Sequence, residues 1–188
     1  MSATHTSRTG KTYYLHTGPK RGGGTQHCLS TKAAGPMADH VPEGFEIHET
    51  VNGQVFLRRQ PRQLIREDEL DLIRRPQAQP RAGMRYQVEA QGKVVIIHEA
   101  SDNLRLMRET ARHLSVREQE RIAEQFAHYQ TVMRFTLLDA ERRWFAPERF
   151  CFRGSVDDWI SIGAPGPLAG LAGPYLKHLG QESLYELF

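Results

Sequence analysis

Three adjacent pairs in this sequence consist of residues able to do acid–base or metal chemistry. They are His48-Glu49, His98-Glu99 and Asp157-Asp158. Carboxylates and imidazoles that converge in space can hold a divalent metal or divide the roles of general acid and general base. Adjacent residues of a strand point to opposite faces, so only one member of each His-Glu pair can face a given site. The candidate catalytic residues are His48, His98, Glu99, Asp157 and Asp158.

The same residues also have structural interpretations. His98 and Glu99 end an apolar run, where they would mark the point at which a strand emerges into water. Asp157 and Asp158 precede Trp159 in the way that turn or helix-cap residues do. The spacing predicts no defined set of metal ligands and no cofactor. A metal-dependent hydrolase or nuclease is therefore an alternative hypothesis for this chain.

A glycine-rich stretch, Gly18-Pro-Lys-Arg-Gly-Gly-Gly-Thr25, has the composition of an anion-binding loop. Lys20 and Arg21 supply positive charge, and the glycines let backbone amides approach an anion closely. As the tip of a β-hairpin, the loop could contact phosphates, with Tyr14 exposed for stacking on a base. The alternative is a solvated turn without function. The candidate polyanion-binding residues are Tyr14, His16, Lys20, Arg21, Gly22, Gly23, Gly24 and Lys32.

Motifs for nucleotide binding and nucleophilic catalysis are not met. Gly10-Lys11-Thr12 resembles the end of a P-loop, but His5 stands where its first glycine belongs. In the glycine-rich stretch, Gly24 occupies the position of the required lysine. Gly154-Ser155 lacks the flanking glycine of a nucleophile elbow. Without a catalytic signature, the sequence favours a small binding or adaptor protein over an enzyme.

Positive charge is concentrated near the N-terminus. Before Asp39 the chain has five basic residues and no acidic one, a local charge of +5. The rest of the chain contains the other 20 of the 25 basic residues and all 22 acidic residues, so its charge is −2 and the net charge is +3. This asymmetry favours a polyanionic partner, with nucleic acid as the leading candidate. Arginines further along could extend the patch, but acids interleaved among them predict a balanced surface. These arginines are Arg58, Arg59, Arg62, Arg66, Arg74 and Arg75.

Composition predicts an ordinary soluble, cytoplasmic protein. The chain has 188 residues, 39% hydrophobic and 25% charged, with a mean hydropathy of −0.57. Its longest aliphatic run, Val94 to Ile97, is far too short to cross a membrane. Residues 1–10 lack the apolar segment of a secretory signal. Cys28 and Cys151 are isolated and predict two free thiols.

Two β-hairpins position most of these groups. In Phe45–Arg59, a three-residue loop closed by Gly53 pairs Ile47 with Leu57 and Glu46 with Arg58, which separates apolar from charged faces. A two-residue loop at Asn52-Gly53 would mix them. In the second hairpin, Arg85–Glu99, the same loop chemistry at Gly92 pairs Val88 with Val94 and Tyr86 with Ile96. Helices predicted over 63–75 and 102–113 follow the two hairpins, so a tandem of ββα units is possible.

Further elements follow along the chain. Tyr13–Thr17 and Gln26–Thr31 predict a hairpin around the glycine-rich stretch. The capping box Ser115-Val-Arg-Glu118 starts another helix. Strands are predicted over 132–139, 143–153 and 158–162, and Pro147 in the middle one indicates an edge or a break. A bent helix is predicted over 167–179, and the apolar ending Glu182–Phe188 predicts docking onto the body or onto a partner.

Together these elements predict an α+β fold with a mainly antiparallel sheet and three to four helices. We expect a disordered tail over 1–10 and one domain over 11–188, with a possible subdomain boundary at 76–83. The leading functional hypothesis is a polyanion-binding protein that uses the glycine-rich hairpin. The alternatives are the metal-dependent hydrolase or nuclease and a protein-interaction module that uses the apolar C-terminal tail. Membrane association is not expected.

Overall fold

The computed structural model describes residues 3–77, 86–101, 113–153 and 156–187. In chain order the strands are β1 (Thr4–Thr6), β2 (Thr12–Pro19), β3 (Thr25–Ser30), β4 (Phe45–Glu49), β5 (Val55–Arg59), β6 (Tyr86–Gln91), β7 (Val94–Ala100), β8 (Tyr129–Asp139), β9 (Trp144–Arg153), β10 (Val156–Ser161) and β11 (Gly166–Pro167). The described helices are α1 (Glu67–Gln77), α2 (Val116–Phe126) and α3 (Leu168–Leu176), followed by a 3-10 turn at Glu182–Leu184. Every strand pairing is antiparallel in this part of the chain. The predicted α+β class is confirmed.

The chain divides into two compact units. Unit 1 consists of Met1–Gln60 and Asn103–His128, and unit 2 consists of Pro61–Asp102 and Tyr129–Phe188. The boundary predicted at 76–83 falls inside unit 2, and 78–85 lie outside the described residues. The hairpin β4–β5 and the helix that follows it, α1, belong to different units. The helix predicted over 102–113 also lies almost wholly outside the described residues, so the tandem of ββα units stays a prediction.

Residues 3–10 differ from the expected disordered tail. Strand β1 pairs with β2, placing Thr4 opposite Tyr14 and Thr6 opposite Thr12. A tight turn joins the two strands: the Gly10 N–H donates to the Ser7 carbonyl at 2.8 Å, and Gly10 has φ +81, which favours glycine. The strand is made by backbone hydrogen bonds, which require no apolar pattern in the sequence.

The register predicted for β4–β5 is confirmed. Ile47 pairs with Leu57 and Glu46 pairs with Arg58. Gly53 closes the three-residue loop with φ +77. The Arg58 Nε lies 2.8 Å from Glu46 Oε1, so the cross-strand ion pair forms as well.

The register predicted for β6–β7 is wrong. Gln91 pairs with Val94, which leaves a two-residue loop at Gly92-Lys93, and Val88 pairs with Ile97 rather than with Val94. Gly92 has φ +59, as the first position of a type II′ turn requires. Because the two registers differ by an odd number of residues, the observed one turns Val95 and Ile97 to the core and turns Val94 and Ile96 to the other face.

The core of unit 2 lies between one face of its sheet and the helices α1 and α3. The strand order is β10-β9-β8-β7-β6, with β11 also paired to β9. The core contains Ile65, Leu70, Ile73, Val95, Ile97, Val132, Met133, Phe135, Leu137, Phe145, Ile162, Leu168, Leu171, Ala172, Leu176, Leu179 and Leu184. Side chains alternate along β8 and β9, so the residues between these core positions point to the face of the sheet that lies away from the core.

Pro147 lies in a central strand, not at an edge or a break as its position predicts. It pairs with Phe135 across β8–β9, and its carbonyl accepts from the Ile162 N–H at 3.1 Å on the other side. A residue's N and C=O point to the same neighbouring strand. The missing N–H of Pro147 therefore faces Ile162, the first residue after β10 ends at Ser161, and the proline forgoes only the reciprocal hydrogen bond to the Ile162 carbonyl.

A buried ion pair joins α1 to the turn between β8 and β9. Glu69 is only 6% exposed. The Arg143 Nε lies 2.8 Å from Glu69 Oε1, and its Nη2 donates to Glu69 Oε2 and to the Leu64 carbonyl. Burial by itself would raise the pKa of Glu69, but the hydrogen bonds from Arg143 and from the Arg66 N–H hold that pKa below its ordinary value of 4.5. Glu69 is therefore ionised and paired at neutral pH.

The C-terminal segment docks onto unit 2 itself. Leu184 is 1% exposed and belongs to the core, and Leu187 packs against that core. Buried Arg149 donates to the backbone carbonyls of Tyr185 and Leu187 at 3.0 and 3.2 Å. The sequence predicts that this segment docks either onto the protein itself or onto a partner, and the structure shows it docked onto unit 2.

We expect Glu69→Gln to lower the free energy of unfolding by about 3 kcal/mol near neutral pH, because it leaves Arg143 without its charge partner in a buried site. Since the folded pKa of Glu69 is depressed, its contribution is complete above about pH 4.5 and is lost as the pH falls through the folded pKa. Urea unfolding of both proteins at about pH 7 and pH 3 should show the difference shrinking at the lower pH.

Glu67→Gln is the matched control, since Glu67 also pairs with an arginine, Arg74, but its side chain is 73% exposed. Its cost should stay below about 1 kcal/mol. Equal costs for the two variants would contradict the role given to the Glu69–Arg143 pair.

We expect Leu184→Ala to destabilise unit 2 by about 2–5 kcal/mol, since it opens a cavity at a side chain that is 1% exposed. Glu186→Ala, two residues away and exposed, should change the free energy of unfolding by less than about 0.5 kcal/mol. Denaturant unfolding measures both. A Leu184→Ala protein as stable as the Glu186→Ala protein would show that the tail is not part of the core.

Candidate functional site

The glycine-rich loop forms the tip of the hairpin β2–β3. The strands extend to the pair Pro19–Thr25, which leaves Lys20–Gly24 as the loop. The N–H of Lys20 donates to the Gly24 carbonyl and that of Gly23 to the Lys20 carbonyl, both at 3.0 Å. These two amides are hydrogen-bonded within the loop and are therefore not free to bind an anion. Gly22, Gly23 and Gly24 have φ of +102, +96 and +88, so glycine is required at all three by backbone conformation.

The cations of this hairpin have no acidic partner in the part of the chain that the structure describes. Lys20 and Arg21 are exposed at the tip, and Lys11 and Lys32 are exposed near the other end. Residues 11–38 contain no aspartate or glutamate. Elsewhere, arginines pair with carboxylates: Arg58 with Glu46, Arg74 with Glu67, Arg75 with Asp71, Arg134 with Glu148, Arg142 with Asp139 and Arg143 with Glu69.

One face of β2 carries polar and aromatic groups toward an open cavity. Leu15 is completely buried, so its neighbours Tyr14 and His16 face the opposite way, together with Thr12. The Oγ1 atoms of Thr6 and Thr12 lie 3.3 Å apart, as expected for opposed residues on one face. Beside them is a cavity of about 420 Å³ whose lining residues are Lys11, Thr12, Tyr14 and Thr31.

His16 orders the chain beyond β3. Its Nε2 lies 2.9 Å from the Lys32 carbonyl oxygen, and the Lys32 N–H donates to Ser30 Oγ at 3.1 Å. A Cβ added to Gly35 would lie 3.7 Å from His16 Nδ1, so this segment passes close to the ring. His16 therefore positions the backbone that carries Thr31 and Lys32. The contact of His16 with a polyanion remains a prediction from the sequence.

Glu49 anchors the N-terminal segment of unit 1. Its Oε2 lies 2.7 Å from His5 Nε2, and its Oε1 accepts from the Arg8 N–H at 2.8 Å. The Arg8 guanidinium donates to the carbonyl of Ala127, just beyond the C-terminal end of α2, where positive charge is favoured. Arg8 is thus directed to α2, and the other four basic residues that precede Asp39 are the exposed ones.

Both candidate catalytic histidines make structural contacts. In unit 1, the ring of His48 packs edge-on against Phe56 at 5.2 Å. In unit 2, His98 is 6% exposed, so it does not mark the emergence of a strand into water. Its Nδ1 lies 3.0 Å from Thr131 Oγ1, and its Nε2 lies 3.6 Å from Glu89 Oε2. Sequence spacing did not indicate Thr131 or Glu89, because both reach His98 from neighbouring strands.

The aspartate pair lies in strand β10, not in a turn or a helix cap. Asp158 is exposed and its Oδ1 accepts from the N–H of Trp159 at 2.7 Å, while the side chain of Asp157 lies outside the described part. Among the described residues, no three histidine, cysteine, aspartate or glutamate side chains are grouped so as to hold a metal ion. Cys28 is exposed and Cys151 is buried, and both are free thiols.

Sequence reasoning missed the cavity, although part of its lining was within reach. Thr12 stands two residues before Tyr14, so alternation along a strand places both on one face. Lys11 and Thr31 come to the same place only once β2 and β3 are paired. The sequence predicts that pairing, but its pattern does not show which residues beyond β3 share the face of Tyr14.

Comparison with known proteins returns no match to a protein-family model, to a curated protein or to a solved structure. None of the described helices combines the length and apolarity needed to cross a membrane.

We expect Glu49→Ala to lower the free energy of unfolding of unit 1 by about 1–3 kcal/mol, since it leaves the His5 ring and the Arg8 N–H without their shared acceptor. Amide hydrogen exchange in β1 should rise at the same time. Glu46→Ala, on the same strand, removes only the cross-strand pair with Arg58 and should cost less than about 1 kcal/mol. Unchanged exchange in β1 of the Glu49 variant would contradict the anchoring role.

Proposed function

We propose that this protein is a binding or adaptor protein that contacts a polyanion, with nucleic acid as the leading candidate, through the tip of the hairpin β2–β3. The observation that supports this proposal is the exposure of Lys20 and Arg21 at the tip, in a part of the chain without any carboxylate. Phosphate groups supply the negative charge that these side chains lack nearby.

Lys20 and Arg21 differ from several arginines elsewhere in the molecule, which already pair with carboxylates. A guanidinium already held by a carboxylate gains little from a phosphate, because the new contact has to replace an existing one. The pairs Arg58–Glu46 and Arg134–Glu148, both at 2.8 Å, are of this kind. Lys20 and Arg21 have no charged partner among the described residues, so a polyanion would not have to replace an existing contact there.

The tip is suited to contacts with backbone phosphates. Its two cations lie on a loop whose other residues are three glycines, so it has no asparagine, glutamine or carboxylate side chain with which to read a base edge. Contacts to phosphates position a protein on nucleic acid but carry no sequence information. The proposed binding is therefore salt-dependent and largely independent of sequence.

We expect the double variant Lys20→Ala/Arg21→Ala to lose affinity for nucleic acid and to bind with a weaker salt dependence. Removing two phosphate contacts should reduce the slope of log K against log salt by about 1.4 for a single strand. The affinity difference between the wild type and the variant should therefore shrink about sevenfold between about 50 and 200 mM salt. Fluorescence anisotropy with labelled oligonucleotides measures the slope.

Arg74→Ala/Arg75→Ala is the matched control, because it removes the same net charge from two arginines that already pair with Glu67 and Asp71. It should bind like the wild type. If both double variants bind equally, or if the wild type binds no DNA, RNA or heparin at about 50 mM salt, the proposed function is wrong.

A further inference from the structure

The cavity beside β2 lies at the end of the strand opposite to the hairpin tip. Among the described residues its lining contains one cation, Lys11, two aliphatic hydroxyl groups, those of Thr12 and Thr31, and the phenol ring of Tyr14. We propose that this cavity is a subsite for one nucleotide unit of a single-stranded nucleic acid, a proposal that rests on the proposed function. Lys11 takes the phosphate, and Tyr14 stacks on the base.

The four lining residues match the parts of a nucleotide. An exposed ammonium, with two hydroxyls that donate hydrogen bonds, suits a phosphate or the polar edge of a sugar. The Tyr14 ring supplies a flat face that any base can stack on. An aliphatic or purely anionic ligand would leave one half of this lining without a partner. A nucleotide uses both halves.

The size of the cavity agrees with one nucleotide unit. Its volume of about 420 Å³ lies at the small end of the range for small-molecule sites. Lys11 precedes Thr12 at the start of β2, and Tyr14 follows two residues later on the same face as Thr12. The backbones of Lys11 and Tyr14 are therefore three residues of strand apart, or about 10 Å, and both side chains line the same cavity.

Stacking on Tyr14 requires a single strand. Inside a duplex both faces of each base are covered by its neighbours, so a protein ring reaches a base face only when the base is unstacked. In a single strand the bases can be splayed out at little cost. The cavity should thus discriminate by strandedness, which the phosphate contacts at the tip do not.

The tip and the cavity can belong to one binding track. Strand β2 runs from Thr12 beside the cavity to Pro19 beside the tip, a rise of about 23 Å. A strand of several nucleotides spans that distance, within the site sizes of known single-strand binders. Longer oligonucleotides should therefore bind more tightly than mononucleotides, because they engage both ends.

The test uses the full chain and four probes: a labelled oligothymidylate and a labelled oligouridylate of about 12 nucleotides, a DNA duplex of the same length, and uridine monophosphate. Tyr14→Leu should weaken single-strand binding by at least about fivefold, the lower end of the effect of losing one stacked base, and should leave duplex binding unchanged. Tyr14→Phe, which retains the ring, should bind like the wild type. Lys11→Ala should lower the single-strand salt slope by about 0.7.

Tyr13→Leu is the matched control for folding, because Tyr13 precedes Tyr14 on the other face of β2. It should leave the ratio of single-strand to duplex affinity unchanged, and circular dichroism checks that all variants are folded. Equal single-strand binding by wild type and Tyr14→Leu overturns the inference. So does binding of uridine monophosphate alone without any gain for the longer strands.

Failure of this inference is distinguishable from failure of the proposed function. Binding that depends on Lys20 and Arg21, but not on Lys11 or Tyr14, retains the hairpin tip as a polyanion site and removes the cavity as a nucleotide subsite. Absence of binding to every oligonucleotide and to heparin removes both.

Discussion

The burial of Leu15 is the constraint on which the candidate site depends. Side chains alternate along a strand, so a completely buried Leu15 fixes Thr12, Tyr14 and His16 on the opposite face of β2. A slip of one residue would bury Tyr14 and expose Leu15, removing the aromatic wall of the cavity. Pairing with β1 and β3 holds this register, and Glu49 holds β1 in turn through the His5 ring and the Arg8 N–H. The chemistry of the site is thus set by residues that would not touch a ligand.

Charge is used in two ways in this protein. In unit 2, Glu69 and Glu148 are paired with Arg143 and Arg134, and the pKa of each carboxyl is held below its ordinary value against the opposing effect of burial. Such pairs are costly to break from one side, so they fix the positions of α1 and of neighbouring strands. In unit 1, the cations of the hairpin β2–β3 lie in a stretch of sequence without acidic residues, so they form no such pair within that stretch. In the part of the chain that the structure describes, paired charges hold the fold, whereas the cations of the hairpin have no carboxylate partner.

Much of the fold could be predicted from the sequence, and the two main hairpins show where such reasoning succeeds and where it fails. In β4–β5, Ile47 and Leu57 alternate with Glu46 and Arg58, so only one loop length separates apolar from charged faces. In β7, Val94 to Ile97 is apolar at every position, so each register places apolar residues together and the pattern cannot choose between them. Strand β1 was missed for a related reason. Its Thr-His-Thr sequence carries no apolar pattern, and its pairing consists of backbone hydrogen bonds.

The candidate site could be predicted only in part. The glycine-rich stretch from Gly18 to Thr25 could be predicted because its composition is informative without any structure: cations indicate an anion, and consecutive glycines let backbone amides approach that anion closely. The cavity depends instead on strand pairing, since Lys11 and Thr31 are 20 positions apart and meet only across β2 and β3.

The catalytic hypothesis shows the opposite case. His98 and Glu99 are adjacent in sequence, yet the partners of His98 are Thr131 and Glu89, each from a neighbouring strand. Thr131 hydrogen-bonds the Nδ1 of a ring that is only 6% exposed, and the carboxylate of Glu89 lies 3.6 Å from its Nε2, which makes no hydrogen bond in the described part of the chain. Adjacency in sequence is therefore a weak guide to function on strands, since it places two side chains on opposite faces. The hairpin tip avoids that weakness, because a loop presents neighbouring residues to the same solvent and its two cations can act on one ligand together.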